Sequence, residues 1–364
     1  MTGTTVGTGA GLPAAASGAR RVLVAFDKFR GTATAVQLGD RVAAVVRDHG
    51  YVPDLAPMSD GGEGFREAFS GRDVAIAVSD AFGASHPVPV RRHRDGAERV
   101  AVATTAEIVG RADHDPPSED ALRASSRGVG ELLVALGRAG VSSVLLGAGG
   151  SATSDGGLGC YEVLRGAGGL SLAVTVATDV TAPFLAARDF AGQKGVDPRD
   201  LAEVDRRLRD ARERYERECG VDVASLARAG AAGGIAGALA ALGARLTSGF
   251  EEVARATHLR ARAADATLVV TGEGRLDASS LEGKVVGGVA DVVPRADRLL
   301  VVCGAVVADA QRRLEERHPG VRVISLESRV GARAARHDLR RALAAVVDEE
   351  LRERFGDVSC AGPR

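Results

Sequence analysis

The sequence predicts an α/β protein built from two α/β domains with mostly parallel sheets. Short β-branched runs alternate along the 364 residues with longer amphipathic stretches, which is typical of strands and covering helices. Hydrophobic residues make up 45% of the chain and charged residues 26%, a balance typical of globular proteins. The length allows one large sheet or two smaller lobes, and we expect two lobes.

Each predicted element follows from its own pattern. Apolar β-branched runs predict strands at residues 22–26, 52–56, 74–78, 99–103, 141–146, 172–177, 267–271, 299–303 and 322–325. Apolar residues at helical spacing predict helices at 34–48, 61–69, 118–138, 156–165, 200–219, 234–242, 278–292, 306–317 and 332–354.

The domain boundaries are soft, because no low-complexity linker divides the chain after its beginning. Residues 1–20 are rich in Gly, Ala, Thr and Ser and are expected to be a disordered extension. We predict a Rossmann-like domain from residues 21–80 plus 260–364, and a second α/β domain from residues 81–259.

Composition excludes several classes of partner. The chain carries 47 basic and 48 acidic residues, whereas a protein that neutralises nucleic-acid phosphates carries a basic excess. No run of 18 apolar residues predicts a membrane-spanning helix. The four cysteines, Cys160, Cys219, Cys303 and Cys360, form no CxxC pair, so we expect a reducing, cytoplasmic location. From the charge balance and the apolar runs we expect neither a nucleic-acid nor a membrane partner.

Lysine is rare in this sequence. Of the 47 basic residues only Lys28, Lys194 and Lys284 are lysines. A GC-rich codon bias replaces surface lysines with arginine, but a lysine needed as a compact point charge cannot be replaced freely by a wide, planar guanidinium. The three lysines are therefore candidate site residues, although chance survival also explains so small a number.

Gly-rich and polar segments follow several predicted strands, where α/β proteins bind ligands. Residues 147–157 (GAGGSATSDGG) combine glycines with Ser151, Thr153, Ser154 and Asp155. Backbone N–H groups of such turns form nests for phosphate, and the hydroxyls add donors. The alternative is a tight strand–helix turn capped by Asp or Ser.

Two acidic segments accompany this turn. Residues 58–64 (MSDGGEG) place Asp60 among glycines, where it can activate a hydroxyl, hold Mg²⁺ or simply cap a helix. Residues 272–277 (GEGRLD) bring Glu273, Arg275 and Asp277 after a strand, shortly before Lys284. They form either a binding site in which the Arg275 guanidinium binds an anion, or a row of ion pairs on the protein surface. Together these residue types favour phosphoryl transfer on an α/β fold.

The order of these motifs resembles the bacterial type I glycerate kinase family. Similar motifs occur there in the order seen at residues 26–31, 58–64, 149–157, 178–183, 192–195, 229–234, 272–277 and 283–284. They span residues 21 to about 325, most of the chain. The resemblance implies a glycerate kinase I-like fold and Mg²⁺-dependent transfer of phosphate from ATP to D-glycerate, at O2 to give 2-phosphoglycerate, or to a closely related hydroxy-acid.

We assign roles to the matched residues on this basis. Asp60 and Asp179 are candidates for the base and the Mg²⁺ ligand, and Lys194 and Lys284 for neutralising phosphoryl charge. The nucleotide phosphates are expected at Gly149, Gly150, Ser151 and Thr153. The substrate is expected at Asp27, Lys28, Arg30, Arg275, Glu273 and Asp277, with Arg275 clamping its carboxylate.

Several departures from the family pattern leave alternatives open. Arg30 stands where the family has lysine, Ala182 stands where it has asparagine, and the segments at 185–191 and between 157 and 179 are shortened. A non-catalytic paralogue that binds a nucleotide or a small acid is the main alternative, and a nucleotide-dependent ligase is a weaker one. A homodimer is a further expectation.

Overall fold

A computed structural model describes residues 20–95, 98–110 and 116–356. Residues 1–19 of the predicted extension and Cys360 lie outside the described residues. Within the described part, no helix is both long and apolar enough to cross a membrane.

The strands and helices alternate as predicted. The strands are β1 (Arg21–Phe26), β2 (Val52–Leu55), β3 (Arg72–Ser79), β4 (Ser85–Asp95), β5 (Glu98–Thr104), β6 (Ser143–Gly147), β7 (Ala173–Ala177), β8 (Arg245–Thr247), β9 (Leu268–Gly272), β10 (Arg275–Leu276), β11 (Leu299–Cys303), β12 (Ala305–Val306) and β13 (Arg322–Ser325). The helices are α1 (Ala35–Asp48), α2 (Thr105–Val109), α3 (Ser118–Arg123), α4 (Arg127–Arg138), α5 (Leu158–Gly166), α6 (Leu201–Cys219), α7 (Ile235–Ala241), α8 (Gly249–Ala256), α9 (Leu259–Asp265), α10 (Val285–Val292), α11 (Ala308–Arg317), α12 (Leu326–Val330), α13 (Ala332–His337) and α14 (Leu339–Phe355).

The chain divides into two compact units. The first unit contains a five-stranded sheet in the order β13-β11-β9-β1-β2, in which every strand pair is parallel. Strands β1, β9 and β11 are buried almost throughout, because a parallel sheet is covered on both faces. Phe26 pairs with Gly272, so β1 and β9 end side by side. The residues that follow these two strands are therefore neighbours.

The second unit contains a six-stranded sheet in the order β3-β4-β5-β6-β7-β8. The β3–β4 and β4–β5 pairs are antiparallel, and the remaining pairs are parallel. Gly147 pairs with Thr104 and Ala177, so β5, β6 and β7 end at the same edge. The α/β class with mostly parallel sheets is confirmed.

The unit boundaries differ from the predicted ones. The chain enters the second unit between Ser59 and Asp60 and leaves it between Glu252 and Val253, not at residues 80 and 259. The physical reason is strand pairing, because β3 hydrogen-bonds to β4 over its whole length and so belongs to the second sheet.

Four predicted helices are corrected, among them the one at 332–354, which divides into α13 and α14 at Asp338. Residues 61–69 form turns and one short 3₁₀ helix at Arg66–Ala68, because Gly61 and Gly64 adopt positive φ angles of 102° and 86° that end regular helix. The prediction at 118–138 divides into α3 and α4. The prediction at 278–292 divides into a 3₁₀ turn at Ala278–Leu281 and α10, with Gly283 at φ 86° between them.

Candidate active site

In the second unit, the Gly-rich segment 147–157 connects β6 to α5 along the sheet edge. The Thr105 hydroxyl donates to the Gly149 carbonyl at 2.7 Å, and the Thr178 hydroxyl donates to the Ala148 carbonyl at 3.1 Å. Ser151 forms an isolated antiparallel bridge with Gly110. The strand-to-helix turn is thus held by its neighbours, and it leaves Gly149 half-buried and Gly150 exposed.

Lys194 lies directly on this turn. Its Nζ donates to the Thr153 carbonyl oxygen at 2.5 Å and to the Ser151 hydroxyl at 3.3 Å, and the residue is only 8% exposed. Gly233 approaches from the opposite side, where an added Cβ would lie 2.8 Å from Nζ and 1.9 Å from the Thr153 carbonyl oxygen. The structure therefore brings together three residues that the sequence assigned to the phosphate site.

Two hydroxyl groups of the same turn have no protein partner. Thr153 Oγ1 and Ser154 Oγ are buried, and neither forms a hydrogen bond with any described residue. Buried polar groups are nearly always paired, so an unpaired pair of donors beside a lysine ammonium requires an explanation. A bound anion would supply the missing acceptors.

Asp155 is structural. Its carboxylate accepts hydrogen bonds from the N–H and the hydroxyl of Ser126 at 2.8 and 2.7 Å, and from the N–H groups of Gly157 and Gly159 at 2.9 and 3.2 Å. These contacts join the start of α5 to the start of α4. The capping alternative considered for this turn therefore holds for Asp155, while the hydroxyl residues before it keep the features of a binding site.

Asp60 and Asp179 lie on adjoining loops. A Cβ added at Gly61 would lie 2.6 Å from the Ala177 carbonyl oxygen and 3.0 Å from the Thr178 Cα, so the two backbones are in close contact. The Asp60 carboxylate accepts the Gly62 N–H at 3.2 Å, and both aspartates are half-buried. Arg228, which the sequence did not single out, donates to the Thr178 carbonyl at 3.2 Å beside Asp179.

In the first unit, Asp27 and Glu273 follow the paired ends of β1 and β9. The Asp27 N–H donates to the Gly272 carbonyl at 3.1 Å, and Asp27 is buried. The Lys28 N–H donates to Asp27 Oδ1 at 2.7 Å, and the Lys28 Nζ lies 4.0 Å from the same oxygen. The ammonium and two carboxylates therefore share one edge of this sheet.

Glu273 has an unusual environment. Burial raises the pKa of its carboxyl to about 7, with a smaller raising effect from Asp27, while the Ser280 hydroxyl and the Lys284 ammonium lower it. Its Oε1 is buried without a hydrogen-bond partner among the described residues. The carboxylate is therefore poorly stabilised as an anion and holds a proton readily near neutral pH.

Asp277 and Lys284 are linked through Ser279. The Lys284 Nζ donates to the Ser279 hydroxyl at 3.0 Å, and that hydroxyl donates to Asp277 Oδ1 at 2.6 Å. The Ser279 hydrogen bond lowers the pKa of Asp277, so this carboxylate is a stable anion. Sequence reasoning missed Ser279 and Ser280, whose signal was a pair of hydroxyl residues separated from Asp277 by Ala278 alone.

Arg30 and Arg275 are exposed. Neither guanidinium has a hydrogen bond or ion pair in the described part of the chain, and a Cβ added at Gly274 would lie 3.6 Å from the Phe29 Cα and 3.7 Å from the Arg30 backbone nitrogen. The structure therefore places both arginines on loops of the first unit next to Asp27 and Glu273, available to an anionic ligand.

Among the described residues, no group of three or more His, Cys, Asp or Glu side chains could hold a metal ion by itself. Magnesium bound with a nucleotide commonly uses one or two protein carboxylates, the remaining ligands being phosphates and waters. The adjoining Asp60 and Asp179 fit that smaller requirement.

A family profile and two known proteins that resemble this chain all belong to one family. The sequence profile of the Glycerate kinase family matches residues 22–168 and 167–349. A Glycerate 2-kinase from Escherichia coli (strain K12) is 32% identical over 79% of this chain and 86% of its own length. A Glycerate kinase from Haemophilus influenzae is 31% identical over 79% of this chain and 87% of its own length.

A solved structure agrees with these relatives. A crystal structure assigned as a glycerate kinase 2 from Salmonella typhimurium LT2 superposes with a TM-score of 0.73 at 30% identity. It covers 92% of this chain and 99% of that chain. The two parts of the profile match meet at residues 167–168, between α5 and β7, within the stretch that the sequence analysis expected to be shortened.

Proposed function

Because the chain belongs to the glycerate kinase family, we propose that it transfers the γ-phosphoryl group of ATP to D-glycerate and forms 2-phosphoglycerate and ADP. Family membership makes the chain an enzyme, a glycerate kinase. The phosphoryl donor, the hydroxyl that is phosphorylated and the metal ion are the finer points of the proposal.

One observation carries the assignment of the donor site. Lys194 is buried with its ammonium on the Ser151–Thr153 turn, beside two hydroxyls that lack protein partners. Buried hydroxyl donors that lack an acceptor are costly, and nucleotide phosphates are anions with many acceptor oxygens that a nearby ammonium also attracts. Gly149 and Gly150 allow the turn to pack closely on its neighbours, since added Cβ atoms would lie 3.0 Å from the Gly62 Cα and 2.9 Å from the Ala106 Cβ. We assign the phosphates of ATP to this turn.

The metal ion is assigned to the neighbouring loops. Asp60 and Asp179 would hold Mg²⁺, which supplies charge neutralisation at the phosphates when it is bound. The sequence left open which of them serves as base. Lys194 adds a fixed positive charge on the same unit, and Lys284 adds one on the first unit.

The acceptor is assigned to the first unit. Exposed Arg30 and Arg275 offer planar forks for the carboxylate of a small hydroxy-acid. Lys28 and Lys284 supply point charges, and Glu273 and Asp277 supply acceptors for hydroxyl groups. Phosphorylation at O2 is supported by the 32% identical relative whose name is Glycerate 2-kinase.

The proposal is tested with purified full-length protein, ATP, Mg²⁺ and D-glycerate. We expect ADP release that depends on D-glycerate, with L-glycerate and lactate as acceptor controls. Enolase without mutase then reports 2-phosphoglycerate by its conversion to phosphoenolpyruvate, whereas 3-phosphoglycerate gives no signal. ADP release with a silent enolase assay would contradict the O2 assignment, and AMP release would point to a ligase. Omission of Mg²⁺ is expected to abolish turnover.

Two further expectations stay predictions. A cytoplasmic location is supported by three cysteines that are free, of which Cys160 and Cys303 are buried. A homodimer is tested by light scattering of the purified protein, where the mass of a single chain, 37.3 kDa, would contradict it.

A further inference from the structure

The first unit contains three carboxylates at one edge of its sheet, and their hydrogen-bond partners differ sharply. Asp27 Oδ1 accepts the Lys28 N–H, and Asp277 Oδ1 accepts both the N–H and the hydroxyl of Ser279. Donors of this kind stabilise the ionised form and make a carboxylate a weak base. Glu273 differs, because the Ser280 hydroxyl stabilises its anion but its Oε1 is buried and has no hydrogen-bond partner among the described residues.

The polar groups that act on Glu273 come from several segments. They are Asp27 after β1, Asp277 in its own turn, Ser280 in the following 3₁₀ turn, Lys284 before α10 and the buried Cys303 thiol at the end of β11, and Lys28 lies beside Asp27. Like charges and burial favour the protonated form, while Ser280 and Lys284 favour the anion. The balance leaves a carboxyl group that exchanges a proton near neutral pH.

We propose that Glu273 is the general base of the kinase reaction. This assignment rests on the proposed function and deepens it, because it separates the proton acceptor from the aspartates Asp60 and Asp179 assigned to the metal. A carboxylate that is buried, weakly solvated and next to the exposed Arg275 is placed to meet the hydroxyl of a bound hydroxy-acid.

The step balances without any further reactant. The glycerate hydroxyl oxygen forms a bond to the γ-phosphorus of ATP, and the bond between that phosphorus and the β,γ-bridging oxygen breaks. ADP leaves with the electron pair of that bond. The hydroxyl proton passes to a carboxylate oxygen of Glu273, which becomes a carboxylic acid and afterwards releases the proton to water.

The experiment compares wild-type enzyme with Glu273→Gln and with Glu282→Gln, an exposed glutamate nine residues further along the same segment. We expect Glu273→Gln to lower kcat by about 10²–10⁴-fold, the usual contribution of a positioned base, with a smaller change in KM. The wild-type kcat/KM profile should fall about tenfold for each pH unit below its acidic limb, and Glu273→Gln should lose that limb. Glu282→Gln should retain both the rate and the profile.

Two additional variants keep the test decisive if Glu273→Gln does not fold. Ser280→Ala removes the hydroxyl that stabilises the Glu273 anion, so the acidic limb should move to higher pH. Asp27→Asn removes a like charge, so the limb should move to lower pH. Shifts in opposite directions support the assignment, whereas an unmoved limb in both variants overturns it.

The two proposals fail in different ways. An inactive wild-type protein with ATP and D-glycerate removes the proposed function and the base assignment with it. An active wild-type protein together with a folded Glu273→Gln variant that keeps its rate and its acidic limb overturns only the base. Circular dichroism and thermal unfolding of each variant establish whether it is folded.

Discussion

Replacing Lys194 with arginine tests the most crowded part of the candidate site. The positive charge is preserved, so only shape and hydrogen-bond geometry change. The lysine Nζ lies 2.5 Å from the Thr153 carbonyl oxygen and would lie 2.8 Å from a Cβ at Gly233. A wider, forked guanidinium does not fit in this space without displacing one of the two segments.

The magnitude follows from two effects. Overpacking a well-filled interior costs about 1–3 kcal/mol, and losing a charged hydrogen bond to the carbonyl oxygen costs about 1–3 kcal/mol. We expect Lys194→Arg to lower the free energy of unfolding of the second unit by about 2–6 kcal/mol. For a unit of this size that corresponds to a melting temperature lower by about 4–24 °C.

Activity should fall as well. Loss of a charge-assisted contact worth about 1.5–3 kcal/mol lowers kcat/KM for ATP by about 10–150-fold. Thermal unfolding with and without Mg-ATP, followed by initial rates over a range of ATP concentrations, measures both effects. Lys284→Arg is the matched control for stability, because Lys284 is half-exposed and its Nζ donates to the Ser279 hydroxyl at 3.0 Å. A Lys194→Arg variant with wild-type melting and wild-type ATP dependence would refute the reasoning.

Three more predictions concern stability. Gly233→Ala should lower the free energy of unfolding by more than about 2 kcal/mol, since the new Cβ would lie 1.9 Å from the Thr153 carbonyl oxygen. Gly140 has nearly the same φ, 70°, but open space around it, so Gly140→Ala should cost only about 1 kcal/mol. Chemical denaturation measures both changes. Asp155→Ala should lower the melting temperature strongly because four donors lose their acceptor, and the surviving folded protein should keep its KM for D-glycerate. The pKa of Glu273 is about 7 when folded against an ordinary value of 4.5, so this group stabilises the fold fully below pH 4.5 and loses that contribution as the pH rises through 7. Glu273→Gln should therefore be more stable than wild type at pH 8, by up to about 3 kcal/mol, with a smaller difference at pH 5; equal differences at both pH values would contradict the pKa shift.

Sequence patterns predicted the ends of the buried strands well, and with them the position of several site residues. Strand β11 has the predicted bounds, Leu299–Cys303, because five apolar residues between polar neighbours have few alternatives. The same reasoning placed Asp27 and Glu273 directly after buried strands. Parallel pairing of Phe26 with Gly272 then makes the two acids neighbours.

Other features depend on long-range contacts that no local pattern contains. Strand β4 was missed because it contains prolines and arginines, which are uncommon in strands away from a sheet edge. They interrupt the alternation of apolar and polar residues by which a half-buried strand is predicted. The 61–69 segment was predicted as a helix, but its glycines serve close backbone contacts, such as that of Gly61 with Ala177. The unpartnered oxygen of Glu273 could not be predicted, since it depends on which donors fail to reach it in three dimensions.

The lysines show how composition and structure combine. A codon bias explains why 44 of the 47 basic residues are arginine, but it does not explain where the three lysines are. Lys194 is buried against a carbonyl and a hydroxyl, the Lys28 side chain is 11% exposed beside a buried carboxylate, and Lys284 is half-exposed and donates to the Ser279 hydroxyl. A forked guanidinium is too wide for the space around the first two ammonium groups. We therefore expect replacement by arginine to be inexpensive on an exposed helix, costly at Lys194 and Lys28, and tolerated at Lys284 as far as stability is concerned.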